Sequence, residues 1–143
     1  MDGEITDIYN KITGAIQYHE MWKEKIDAMR ATREFNMTVD EIASDCECSL
    51  GRWMYSSVFP SEIKSTPAYE NVRRLHEEFH KCAAELIEIE MKGFYGRPIN
   101  YNDTTFRYNA SSYDLKVALR KWRNRFACIN GRVIGNVAML TTC

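Results

Sequence analysis

Apolar residues recur along the chain at spacings of three and four, the mark of helices with one buried face, in three long stretches. In the first, Ile5, Ile8, Ile12, Ile16, His19, Trp22, Ile26 and Met29 share a face of a helix over residues 5–33. Thr66-Pro67 opens the second, because proline in the first turn has no N–H to leave unpaired. Its stripe is Tyr69, Val72, His76, Phe79, His80, Ala83, Leu86, Ile87 and Met91, and Gly93 followed by Gly96-Arg97-Pro98 ends it. The third, about 104–130, carries Tyr108, Ser111, Leu115, Leu119, Trp122, Phe126 and Ile129.

Between the first two stretches the pattern breaks. Residues 34–47 read as a polar connector with room for a short helix at about 39–44. Cys48 to Ser57 is compact and aromatic, a helical turn or two carrying a thiol, closed by Phe59-Pro60-Ser61-Glu62. A polar loop from Asn100 to Asp103 precedes the third stretch, and the tail from Gly131 to Cys143 is apolar but broken by glycine. No alternating run of useful length predicts a strand. Long amphipathic helices bury their stripes against one another. The expected fold is therefore all-α, an antiparallel four-helix bundle with a short extra helix carrying the cysteine. The expected domain is 1–130, with 131–143 a tail or the start of a linker.

Composition adds boundaries. A chain of 143 residues, 45% hydrophobic and 27% charged, suits a single globular domain. The net charge of −1 is uneven: residues 1–100 hold 12 Lys/Arg against 18 Asp/Glu, and 101–143 hold 7 against 2. Lys116, Arg120, Lys121, Arg123 and Arg125 gather on the last helix, either as a patch for an acidic partner or as a solvated face balanced by the acidic remainder. The second reading is adopted, with no nucleic acid partner. No apolar run approaches the ~18 residues of a membrane span. The acidic N-terminus lacks the features of a signal peptide, so a cytoplasmic protein is expected. The five cysteines (46, 48, 82, 128 and 143) have no disulfide-framework spacing and read as thiols or metal ligands.

The candidate chemistry lies in His76-Glu77-Glu78-Phe79-His80. Histidines four apart on a helix are surface neighbours, about 5–6 Å apart at Cβ. The third histidine, His19, lies on the inward stripe of the first helix, and Cys48 lies between them in sequence. Zinc takes imidazole nitrogen and thiolate sulfur in tetrahedral geometry, and structural sites use four protein ligands. His19, Cys48, His76 and His80 supply three nitrogens and one sulfur. Singly, each reads as a hydrogen-bonded core histidine or a buried thiol; jointly, they point to zinc.

The order His19-x-x-Trp22, Cys48-x-x-Gly51-x-Trp53 and His76-x-x-x-His80 resembles the CZB domain, the chemoreceptor zinc-binding domain of bacteria, over about residues 5–130. The resemblance implies a four-helix bundle with an extra short helix, often a symmetric homodimer, and zinc held by His19, Cys48, His76 and His80. It also implies attachment to a chemoreceptor or a diguanylate cyclase, with the output responding to zinc or, through the zinc-bound cysteine, to oxidants such as hypochlorous acid. Neither a cyclase signature nor a receptor signalling hairpin follows in this sequence. Cys46 stands as an alternative ligand or a resolving thiol, and the Gly-Arg-Trp register favours Cys48.

Two enzymatic readings compete. His76-Glu77-Glu78-Phe79-His80 is a literal H-E-x-x-H, the zinc-protease motif, with Glu77 as general base. That reading needs a third ligand downstream and an open position for water, and Glu85, Glu88 and Glu90 follow too closely on the same helix. A di-iron carboxylate bundle would want a second Glu-x-x-His, which His19 does not supply. A purely structural zinc module is the remaining alternative. The expected protein is not an enzyme.

Overall fold

Each of the three stripes forms a long helix, and the chain between the first two forms three short ones. In the computed structural model, which describes residues 2–93, 101–129 and 132–133, the order is α1 (Asp2–Thr32), α2 (Val39–Ala43), α3 (Ser49–Met54), α4 (Ser61–Lys64), α5 (Pro67–Met91) and α6 (Tyr101–Asn124). A two-residue antiparallel ladder, Cys128–Ile129 with Arg132–Val133, follows α6. The Gly96-Arg97-Pro98 stop and the expected tail, 131–143, apart from residues 132–133, lie outside the described residues.

Chain direction follows from which residues meet. Glu20 reaches Lys116, Asp27 meets Tyr108 and Arg30 meets Tyr101, so α6 runs against α1. Tyr69 packs on Trp122, Phe79 on Tyr108, and Glu85 pairs with Arg107, so α6 also runs against α5. Trp22 meets His80 and Arg33 pairs with Glu90, so α1 and α5 are parallel. Two parallel helices need a long return, which residues 33–66 provide. The all-α bundle is as expected, but three short helices, rather than one, stand where a fourth long helix would be.

Local chemistry sets the boundaries. Thr38 caps α2 by accepting from the Glu41 N–H, and Thr66 caps α5 from the Tyr69 N–H with Pro67 beside it. Helix α1 ends on Arg33, whose φ of 62° is left-handed and whose N–H still donates to Met29. Its guanidinium bonds the carboxylate and the carbonyl of the buried Glu90, joining the ends of α1 and α5.

The core is aromatic at one end of the bundle. Trp53 and Phe59, from α3 and the turn after it, pack on Tyr69 of α5 and Trp122 of α6, with ring centroids 4.9–6.1 Å apart. Each such ring contributes about 1.5–3 kcal/mol when buried. This cluster seats the Cys48 segment on the bundle. Of the predicted stripes from Ile8 to Phe126, Trp22 and Phe126 are partly buried, Met91 is exposed and the others are buried; nothing is described of the Ile5 and Ile129 side chains. On the far side, Lys116 and Arg120 lean towards Glu20 and Arg123 lies over the Tyr9 ring, so α6 shares its basic face with α1.

Candidate metal centre

Helix α5 presents His76 and His80 from consecutive turns. Both rings are buried, edge to face, with their Nε2 atoms 3.1 Å apart. The Nδ1–H of His80 donates to the Ile42 carbonyl at 2.7 Å. That bond fixes the tautomer and leaves the His80 Nε2 as a bare lone pair, the arrangement that orients histidines at metal sites. Trp22 packs edge-on against the same ring.

Cys48 reaches them from the start of α3. It is the N-cap, and its Sγ accepts from the Gly51 N–H at 3.4 Å while standing 3.1 Å from the His76 Nε2. The turn before it is closed by contact. A Cβ on Gly51 would stand 1.7 Å from the Asp45 carbonyl oxygen, so only glycine lets residues 45–48 fold back over α3. Tyr55 donates to the Asp45 carboxylate and Tyr69 to the Met54 carbonyl, tying both ends of α3 down.

The hydrogen-bond count among these three donors does not close. The His76 Nε2 faces two electron-rich atoms, Cys48 Sγ and His80 Nε2, and can satisfy at most one of them with a proton. Its other nitrogen, Nδ1, is buried without a hydrogen-bond partner among the described residues. The three ligand atoms lie within 4.8 Å of one another. Buried nitrogen and sulfur donors brought this close, one histidine among them with an unpaired second nitrogen, suit a cation. Zinc bond lengths of about 2.0–2.1 Å to nitrogen and about 2.3 Å to sulfur require donor spacings only a few tenths of an ångström wider. The donors border a small cavity of about 10 Å³, shared with Tyr18, Trp22 and Leu50.

Electrostatics agree. Burial, then His80 and His19 nearby, push His76 down to about 3. Burial also lowers His80, against the Ile42 carbonyl, and burial together with His80 and Lys116 takes His19 to about 4. All three imidazoles are thus neutral near pH 7, the form that coordinates metal. Burial pushes the Cys48 thiol up, opposed by the Gly51 N–H.

His19 stands apart. It is buried, lines the same small cavity and packs edge-on against Phe79, but its Nε2 bonds the Ser112 hydroxyl at 3.0 Å. The structure thus brings together three of the four expected ligands.

Residues 19–87 match the family model of the chemoreceptor zinc-binding domain, CZB. Over those residues the chain is similar to a CZB domain. The match starts at His19 and ends seven residues beyond His80, narrower than the span of about 5–130 that the residue pattern predicts. No curated protein and no solved structure matches the chain. CZB is a zinc-binding domain, and here Cys48, His76 and His80 are positioned to bind a metal ion.

The other candidates sit away from this centre. Glu77, the would-be protease base, faces solvent, where Arg73 holds its carboxylate at 2.8 Å with the side chain 60% exposed. Cys46 is exposed beside Ser44, outside the cluster. Cys82 is buried between Glu78 and Arg107, its thiol pushed up to about 11 by burial and then Glu78. No helix among the described residues is long and apolar enough to cross a membrane. Sequence reasoning missed Ile42 and Ser112, the partners of His80 and His19. The first acts through its backbone and the second is 93 positions from its partner.

Proposed function

We propose that this chain is a zinc-responsive regulatory domain whose full ligand set is His19, Cys48, His76 and His80. The observation that carries the reading is the convergence of three buried nitrogen and sulfur donors beside one small cavity. His19 lines that space and is the remaining nitrogen donor within it. With four protein ligands no position remains for a water nucleophile, and Glu77 faces outward, so the role is regulatory rather than hydrolytic. A bound zinc supplies charge that holds Cys48 as thiolate and cross-links three separate segments.

In this reading the signal is zinc availability and, at Cys48, oxidants such as hypochlorous acid. The setting is bacterial chemotaxis or cyclic-di-GMP control, with a homodimer acting on a chemoreceptor, a diguanylate cyclase or another signalling protein. Metal analysis of purified protein tests it. Wild type is expected to carry about one zinc per chain, and Cys48→Ala to bind at least about a hundredfold more weakly, since second-shell losses alone cost 10–100-fold. Metal-free wild type, or full retention by Cys48→Ala, sinks the reading. If stripping zinc leaves dimer state and partner binding unchanged, the site is structural only.

A further inference from the structure

His19 is the ligand candidate that stands aside, and α6 supplies the reason. Its Nε2 and the Ser112 hydroxyl are 3.0 Å apart, and both side chains are buried. The ring forms part of two walls. One faces the small cavity with Cys48, His76 and His80. The other faces an open groove of about 440 Å³ between α1 and α6, lined by Ser112, Asn109 and Lys116. If Ser112 merely steadied a ligating His19, the other ring nitrogen would reach the three donors. Neither nitrogen belongs to the group whose atoms all lie within 4.8 Å. The bond therefore holds the ring off the centre.

We propose that Ser112 is a resting partner for His19, so that the imidazole has two positions, one on α6 and one at the metal, and the hydroxyl competes with zinc. This rests on the zinc reading above. Ser111, its neighbour, plays no such part, because its hydroxyl donates to Tyr108 on its own helix. The same carbonyl lies four residues before Ser112 and has a second lone pair. A released Ser112 hydroxyl thus has an acceptor within its own helix. The competition is consequently modest. A neutral hydrogen bond exchanged in this way changes affinity about two- to tenfold. Metal occupancy decides whether α1 is tied to α6 at this point or to the Cys48 segment and α5, so Ser112 sets the zinc level at which the exchange happens.

The test is zinc affinity, measured by competition with a chromophoric chelator, in wild type, Ser112→Ala, Ser112→Thr, His19→Ala and the His19→Ala/Ser112→Ala double variant. Ser112→Ala is expected to bind zinc about two- to tenfold more tightly, and Ser112→Thr, which keeps a hydroxyl, to stay near wild type. In the His19→Ala background the Ser112→Ala change should have no effect. A second readout needs no substitution: the His19 ring ¹⁵N resonances of the zinc-free chain should shift when zinc is added, while the Ser112 contact is lost. Unchanged or weaker binding by Ser112→Ala, equal tightening without His19, or unmoved His19 resonances overturns the proposal. Wild type that binds no zinc at all overturns the metal reading and this proposal with it, and is seen before any Ser112 variant is made.

Discussion

The two arms of the metal centre are built in opposite ways. Helix α5 delivers His76 and His80 by its own repeat, inside a 25-residue helix packed on α6 along its length. Residues 33–66 deliver Cys48 through single contacts: a thiol cap on Gly51, a glycine pressed on the Asp45 carbonyl, one tyrosine at each end of α3, and Trp53 in the aromatic cluster. One arm keeps its geometry whatever happens at the centre. The other depends on a few bonds, each worth about a kilocalorie per mole. In a domain of this size, whose whole stability is about 5–15 kcal/mol, that asymmetry puts the first loss of order at the cysteine.

The hardest test of this contrast is Gly51→Ala. Overpacking typically costs about 1–3 kcal/mol, and a backbone oxygen cannot swing aside as a side chain can, so the upper end is expected. Residues 45–48 should lift, zinc affinity should fall at least about tenfold, and helicity by circular dichroism should barely change. Simultaneous loss of all helices would show that the arms are not separable.

Acidification probes the histidine arm. In the zinc-free chain, His19 titrates at about 4 against 6.5 when unfolded. Between those values the unfolded chain binds protons that the folded one does not, so stability falls as pH falls from about 6.5 towards 4. His19 alone accounts for about 3 kcal/mol at the acid limit. Urea melts across this range check the sign; flat stability would mean the imidazoles are already charged.

Tyr69→Phe is milder. It removes the 2.7 Å bond to the Met54 carbonyl and should cost about 1 kcal/mol. Opening should be confined to the end of α3, read by hydrogen exchange, and protection lost throughout α5 would contradict that. Smallest of all is Glu77→Gln. Its exposed pair with Arg73 contributes about 0–1 kcal/mol, so metal content should not change, and a change would reopen the protease motif.

The same contrast explains what the sequence reveals. His76 and His80 are legible because helical periodicity is local, and Thr66-Pro67 marks the start of their helix. Cys48 is legible from the Cys-x-x-Gly-Arg-Trp piece, though only the structure says why its glycine is needed. The short helix at 39–44 is visible through Thr38 and Asp40, whereas α4, a four-residue turn after Pro60, leaves no periodic trace. Helix α6 begins at Tyr101, earlier than its apolar stripe implies, because Asn102 and Asp103 suit a first turn, and it stops at Asn124 although apolar residues continue. The pairings of His19 with Ser112, Asp27 with Tyr108 and Arg33 with Glu90 join residues from separate helices. Helical spacing places such residues on a face without naming their partners.

Because α6 runs against α1, the beginning of one and the end of the other lie side by side, with Arg123 over Tyr9 at 5.6 Å. A stiff helix rises about 1.5 Å per residue, so those neighbouring ends stand about 18 Å along the rods from Ser112. Any axial slip of α1 past α6 at the His19 contact therefore arrives there undiminished, as an offset between two adjacent strands of chain.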